Sequence, residues 1–243
     1  MENLTTTVSN IHNPCSKCVT RKNCINSSLT SEEVKHLNNL YVQKINLKKG
    51  DTLYNNGDNL LSIYNIRAGV LKTEYSLPDG RQQVVKFMMP GELAGLDGIQ
   101  DGKHHENTSA LTDSEICCIN YDQLQKISKT FPNLQKNLDC LMSSILNEIQ
   151  DHIFLLGSLS ANEKLSHFLI QYSNKLASHG YSSHEFKLPM NREELSSYLG
   201  VTIETLSRAF TYMIDSNMIE ASNKKVKIIS SARLESLDNH GLF

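Results

Sequence analysis

Between Pro132 and Gly157 run 24 residues without a glycine or a proline. A segment of that length with no breaker is free to form one long helix, provided its apolar residues keep a helical period. They do: Leu138, Met142, Ile145, Ile149 and Leu156 follow a 4-3-4-7 spacing, with His152 interrupting the last step and Ile153 beside it. Steps of three and four residues put side chains in one stripe along a helix, the pattern of a coiled-coil seam. The spacing therefore predicts a helix over 131–157. Its stripe, Leu138, Met142, Ile145, Ile149, Ile153 and Leu156, either packs on a neighbouring domain as part of a core or pairs with a second copy of the chain. The position of so long a helix between two segments of different texture points to dimerisation.

The segment before it reads as β structure. From about 45 to 125, short runs rich in Val, Ile, Leu and Tyr are punctuated by glycines at 50, 57, 69, 80, 91, 95, 98 and 102, with turns at Pro78-Asp79-Gly80 and Pro90-Gly91. Many short strands at such spacing predict a sandwich or barrel. Residues 1–14 are polar and unpatterned, as a loose arm would be. After the long helix, Gly157-Ser158-Leu159-Ser160 reads as a hinge. Leu165, Phe168, Leu169, Tyr172 and Leu176 then mark an amphipathic helix over 161–179.

Next comes NREELSSYLGVTIETLSRAFTYMIDSNMI. Asn191 is suited to cap a helix, with Glu193 and Glu194 in the first turn, where the helix dipole favours negative charge. Leu199-Gly200 suits a left-handed stop, and Thr202 can cap a second helix. Helix, glycine turn and helix at this spacing match a DNA-binding helix-turn-helix, whose second helix enters the major groove. The polar face of that helix carries Thr202, Glu204, Thr205, Ser207 and Arg208. Glu204, Ser207 and Arg208 share one side at i, i+3 and i+4. Arginine can donate two bonds to guanine, and glutamate can accept one from cytosine. Lys224, Lys225 and Lys227 interleave with Val226, Ile228 and Ile229 as a basic wing. The plain alternative is a helical hairpin whose charges are merely solvated.

The cysteines form the remaining motif. Cys15-x-x-Cys18-x5-Cys24 places three thiols in one loop, which can bind a metal or cluster but needs a fourth ligand from elsewhere. A structural zinc site, with His12 as a candidate, or metal-free thiols fit the spacing as well. Six cysteines in a chain whose first residues lack the charge and apolar run of an export signal read as reduced thiols or ligands rather than disulfides. A cytoplasmic protein is expected, and no apolar run is long enough for a membrane span. The net charge of −2 argues against a broad polyanion-binding surface but allows one local basic face. No P-loop, dinucleotide-binding glycine pattern or nucleophile–base motif is present, so an enzyme is not expected. His104-His105 falls in a polar stretch that reads as a loop.

The order of these segments, and YLGVTIETLSR in particular, resembles the CRP/FNR family of bacterial transcription regulators, and within it the FNR branch. The similarity runs from about Cys15 to Ile229. It implies an α+β fold in four parts. These are an arm with the cysteine cluster over 1–28, a cyclic-nucleotide-binding-like β-roll over 29–130, a dimerisation helix over 131–157 and a winged helix-turn-helix over 158–243. It also implies a homodimer on double-stranded DNA, with Glu204, Ser207 and Arg208 reading each half of an inverted repeat of the type TTGAT…ATCAA, and RNA polymerase as a further partner. FNR-type oxygen sensors pair the N-terminal cysteine spacing with a late β-roll cysteine after Ala-Leu-x-x-Ser. Ala110-Leu111-Thr112-Asp113-Ser114-Glu115-Ile116-Cys117 puts Cys117 there, with Cys118 as an adjacent rival. The implied cofactor is a 4Fe–4S cluster on Cys15, Cys18, Cys24 and Cys117, with Lys17, Arg21 and Lys22 offsetting charge. In such sensors oxygen shrinks the cluster, the dimer weakens and DNA is released. Members that bind cyclic nucleotides carry an Arg-Ser pair after Gly-Glu. Here Gly91-Glu92 is followed by Asn107-Thr108-Ser109, and no arginine lies between Arg81 and Arg192, so cyclic AMP is not expected. Some members also place an aspartate in the dimer seam, where this chain has Ile149.

Overall fold

The computed structural model describes Val8–Asn10, Cys15, Cys18, Thr20, Cys24, Ile25, Ser27, residues 29–38 and residues 43–238. The chain divides into two compact units, Met1–Ser144 and Ile145–Phe243.

The first unit is a β-roll with helices on one side. Its strands are β1 (Val8–Asn10), β2 (Gln43–Leu47), β3 (Thr52–Tyr54), β4 (Ser62–Ala68), β5 (Leu71–Ser76), β6 (Gln82–Met88), β7 (Leu93–Ala94), β8 (Asn107–Ala110) and β9 (Ser114–Asn120). One antiparallel sheet has the order β1-β2-β9-β4-β7 and the other β3-β8-β5-β6. Leu47, Tyr54, Ile66, Leu71, Met88, Ala94, Ala110 and Ile116 fill the space between them. The outer face of the five-stranded sheet is covered by α1 (Ser31–Asn38), α2 (Tyr121–Ser128) and the start of α3 (Pro132–Ser158). Ile63, Ile119, Leu124, Leu134 and Leu138 meet Ile25, Leu29 and Val34 there. Alternation along β4 and β9 explains why one sheet feeds two cores: successive side chains leave by opposite faces.

The second unit contains the rest of α3, then α4 (Ala161–Ser178), β10 (Glu185–Lys187), α5 (Arg192–Leu199), α6 (Ile203–Asp215), β11 (Ile219–Ser222), β12 (Lys225–Ile228) and α7 (Ser231–Leu237). Gly157 does not open the hinge read from the sequence. It is helical, and α3 ends one residue later. The stop is made by Ser160, whose side chain accepts from the Glu163 amide while Glu163 accepts from the Ser160 amide, so that α4 starts with a capping box. The strands β10-β12-β11 form a small antiparallel sheet, β10 coming before α5 and α6 and the other two after them.

Gly69 joins β4 to β5 at φ +90°, and a Cβ there would lie 2.1 Å from the Ser114 hydroxyl and 2.7 Å from the Asp113 carbonyl oxygen. Neither the backbone angle nor the space admits a side chain. Gly69→Ala is expected to cost about 3 kcal/mol through strain and overpacking, measured as a lower urea midpoint for the first unit.

Candidate nucleic-acid interface and cysteine site

The helix-turn-helix is assembled by local chemistry. Asn191 accepts from the Glu194 amide at 2.8 Å, and Glu194 accepts from the Asn191 amide at 2.7 Å, which fixes the start of α5. Gly200 stops it in the left-handed region at φ 61°. Thr202 then accepts from the Thr205 amide at 3.1 Å and starts α6. Leu195, Leu199, Leu206, Ala209, Phe210 and Met213 are buried, and small Ser196 is buried among them. The buried side of α6 packs on α4, α5 and β11. Thr202, Glu204, Ser207 and Arg208 are left exposed, with Thr205 half-buried. The hydroxyls of Thr202 and Thr205 lie 3.0 Å apart and engage each other. The carboxyl of Glu204 is held below its usual range by its own backbone amide, by Thr202 and by the charge of Arg208. It is therefore an acceptor at neutral pH.

Arg192, not singled out from the sequence, turns inward at the start of α5, where burial lowers its pKa. Its guanidinium lies 3.4 Å from the centre of the Phe210 ring. Its Nη1 has no hydrogen-bond partner. A cation in the first turn opposes the helix dipole, and that mismatch is the one signal the sequence carried. In the wing, Lys225 and Lys227 point outward while Val226 and Ile228 are buried. Lys227 is paired with Glu220 at 3.2 Å, and Lys224 donates to the Pro189 carbonyl at 2.7 Å. Lys187 on β10 sits directly opposite Lys225. Like charges in that register repel unless an anion lies between them.

The stripe on α3 differs from the sequence reading at two positions. Leu138 is buried in the core of the first unit, so it is not on the open face. Met142 and Ile145 are half-buried. Phe154, 41 % exposed, stands beside a stripe of outward apolar residues, Leu146, 59 % exposed, Ile149, 50 %, Ile153, 63 %, and Leu156. With Met142 they run 4-3-4-3 along the helix, a regular seam. Leu146, missed in the sequence reading, takes the place given there to Ile145. The two are adjacent apolar residues, and only burial tells them apart.

The cysteine loop lies against the outer face of the five-stranded sheet. Cys15 and Cys24 pack on the cluster of Ile63, Ile119, Leu124 and Leu134. The Cys18 amide donates to the Cys15 carbonyl at 3.2 Å, and the Cys18 Sγ lies 3.2 Å from the Thr20 hydroxyl. Asn137 of α3 donates to the Ile25 carbonyl at 2.9 Å and holds the chain just after Cys24. Cys117 and Ile119 leave β9 by this same face. Burial, and then the neighbouring Cys24, Cys15 and Cys18, push the Cys117 thiol up to about 12. A metal bound there would have to displace the thiol proton, so its binding would depend on pH. Cys118 leaves by the opposite face and lines a recess of about 230 Å³ with Gln43, Ser62, Asn120 and Gln123. Cys140 is exposed on α3.

Among the described residues no three His, Cys, Asp or Glu side chains are set at the geometry of a metal ion. The donor set nevertheless fits a group that takes four thiolates, since Cys15, Cys18 and Cys24 all lie near enough to Cys117 to act on its thiol. His12, Lys17, Arg21 and Lys22 lie outside the described residues. The described cations nearby are Lys44, directly opposite Cys117 on β2, and Arg67. Glu115 pairs with both Lys44 and Arg67. Arg67 stands at a β-bulge between Ile66 and Ala68, a device that re-aims a side chain.

His104 lies in a loop, as the polar stretch suggested, but its side chain is buried. It is 1 % exposed, stacked on Tyr54 with ring centres 3.8 Å apart, and its Nδ1 lies 3.2 Å from Asp97. Burial, and then the charge of Asp97, push the nearby Glu106 carboxyl up to about 7. On β8, Thr108 is buried against the Thr73 hydroxyl at 3.0 Å, and Asn107 donates to Ser76 at 3.0 Å. This end of the roll is packed with neutral hydroxyls and aromatic rings.

Residues 44–131 match the cyclic nucleotide-binding domain family, and residues 163–237 match the Crp-like helix-turn-helix domain family. The transcriptional regulatory protein Btr of Bordetella pertussis is 34 % identical over 223 residues, 92 % of each chain. The fumarate and nitrate reduction regulatory protein of Escherichia coli K12 is 34 % identical over 226 residues, 93 % of this chain and 90 % of that protein. Among solved structures, FixK2 from Bradyrhizobium japonicum superposes with a TM-score of 0.75 at 25 % identity, covering 82 % of this chain and 98 % of its own.

Proposed function

Because this chain belongs to the CRP/FNR family of DNA-binding transcription regulators, we propose that it acts as an FNR-type homodimer, reading an FNR-like inverted repeat under the control of oxygen or redox state. The observation that carries the DNA half is the outward face of α6. Glu204, Ser207 and Arg208 are exposed on one side of a helix whose other side packs on α4, α5 and β11. That face supplies acceptor, hydroxyl and bidentate donor to base edges. Thr202 and Thr205 cap the helix and present hydroxyls beside it. Lys187 and Lys225 are the cations placed to meet phosphates, which position a protein without selecting sequence. The apolar seam of Met142, Leu146, Ile149, Ile153 and Leu156 joins two copies, so that each supplies one reading helix.

Control is assigned to Cys15, Cys18, Cys24 and Cys117, which would hold a 4Fe–4S cluster. When bound, such a cluster supplies an oxidisable centre with four thiolate ligands. The residues themselves position the thiols. Asn137 and the apolar cluster hold the loop on the sheet, β9 aims Cys117 at it, and Lys44 and Arg67 offset negative charge. The neutral hydroxyls Thr73 and Thr108 offer no cation to a cyclic phosphate, which would be poorly paired there; we therefore assign no cyclic AMP. RNA polymerase is a partner by analogy of fold alone, through exposed positions such as the Asp79-Gly80 turn. We read the chain as a regulator and not an enzyme, acting in the cytoplasm. No helix among the described residues is long and apolar enough to cross a membrane.

Arg208→Ala is expected to lose about 1–3 kcal/mol per half-site and to relax selection at one guanine, read by gel-shift competition among single-base variants of the repeat. Equal weakening on all sequences would make Arg208 a phosphate contact instead. For the cofactor, protein purified without air is expected to show iron–sulfur absorption that Cys117→Ser abolishes and Cys118→Ser retains. Zinc in place of iron would overturn the cluster while leaving the DNA reader standing. For the seam, Ile149 adds apolar area across the two-fold axis where an aspartate would add repulsion. Cluster-free protein is therefore expected to sediment as a dimer at micromolar concentration, and Ile149→Asp as a monomer. A monomeric parent protein would reject this.

A further inference from the structure

The C-terminal half of α3 has a second face beside the exposed seam. Glu148, His152 and Leu155, with Leu159 just past the helix end, are spaced 4-3-4, each one residue before a seam position or its continuation. They turn toward the helix-turn-helix of the same unit. Glu148 lies 3.9 Å from the Lys175 ammonium of α4. Leu155 and Leu159 are buried. The His152 ring stacks on Tyr198 of α5, with centres 4.3 Å apart and planes 24° from parallel. Phe168 of α4 meets the other side of Tyr198 edge-on at 5.8 Å. Tyr198 stands two residues before Gly200, the turn from which α6 starts. Leu156 reaches that turn: a Cβ on Gly200 would lie 2.8 Å from its Cδ2.

Two details are consistent with an apolar stack around the histidine. The buried Nδ1 of His152 has no hydrogen-bond partner, so no polar contact through that atom orients the ring. Burial, with His167 and Lys164 close by, lowers its pKa, which leaves a neutral ring at neutral pH. The end of α3 is tied a second time by Lys164, 6 % exposed, which donates to the Leu156 carbonyl at 3.0 Å.

We infer that His152 is a positioning residue for DNA reading: its stack on Tyr198 fixes the direction of the recognition helix relative to the seam that joins two subunits. The physical reason is geometric. Two reading helices must fall on half-sites a set distance apart along the duplex, about 34–36 Å for one helical turn. The seam residues Ile149 and Ile153 and the stacking residue His152 lie on one rigid helix, so whatever orients α5 and α6 against that helix also sets their separation in a dimer. The inference rests on the homodimer proposed above.

The test uses the full chain purified without air, with three DNAs: the inverted repeat, the repeat with one base pair added between its halves, and a single half-site. His152→Ala is expected to lose about three- to tenfold in affinity for the correct repeat, the worth of an aromatic stack, and much of its preference over the lengthened one. Half-site binding and the sedimenting dimer should stay unchanged. His152→Phe, which keeps a flat ring and no nitrogen, should behave as the parent. Tyr198→Leu should reproduce His152→Ala, and the double variant should lose no more than either alone; Tyr198→Leu also stands in if His152→Ala does not fold. Retained spacing preference in the alanine and leucine variants would overturn the inference. So would an equal loss on all three DNAs, which would mean general damage to the domain. A monomeric parent protein would instead remove the dimer reading on which the inference stands, a result sedimentation reports separately.

Discussion

Helix α3 presents apolar side chains on every turn, and the chain covers them only in part. Leu134 and Leu138 are taken up by the core beneath the β-roll, and Leu155 and Leu159 by the second unit. Leu146, Ile149, Ile153 and Leu156 stay open to water in the single chain. A run of four large aliphatic residues in one stripe is an exposed patch of the kind that marks an interface. Most of what the molecule is proposed to do follows from how this helix is shared out. One end belongs to the sensing fold and one side to the reading head, and the remaining stripe fits a second copy.

The same economy governs β9. With a period of two, a single strand sends Ile116 and Cys118 into the roll and Cys117 and Ile119 to the helix-covered face. Adjacent cysteines that are equivalent in composition become chemically different. One meets three other thiols, and the other meets Ser62, Gln43 and Gln123 beside a recess. The alternation was legible from the sequence, but which parity faces the cysteine loop was not. That depends on pairing with β2 and β4, more than fifty residues away in the chain.

What the sequence disclosed was local. Asn191, Gly200 and Thr202 announce α5 and α6 because caps and left-handed stops are decided within a few residues, and the exposed face of α6 follows from the buried one. What it withheld was set by distance or by competition between near-equals. His104 is in the loop expected, but its burial was not legible because its partner Tyr54 lies fifty positions earlier. Gly157 looked like a hinge, yet the capping chemistry of Ser160 and Glu163 decides where α3 gives way to α4. Ile145 and Leu146 compete for one seam position, and Leu138 fits the seam period as well as the core that claims it.

The lysines facing each other across β10 and β12 have a thermodynamic consequence. Lys187 and Lys225 keep their charges side by side on an exposed edge, at a small cost to the free protein. A phosphate between them would turn that repulsion into attraction and release condensed cations from the duplex. Binding built in this way draws on the entropy of small ions and weakens steeply as the medium becomes more saline. Occupancy of a promoter by such a wing would then follow the ionic state of the cell as well as the state of its thiols.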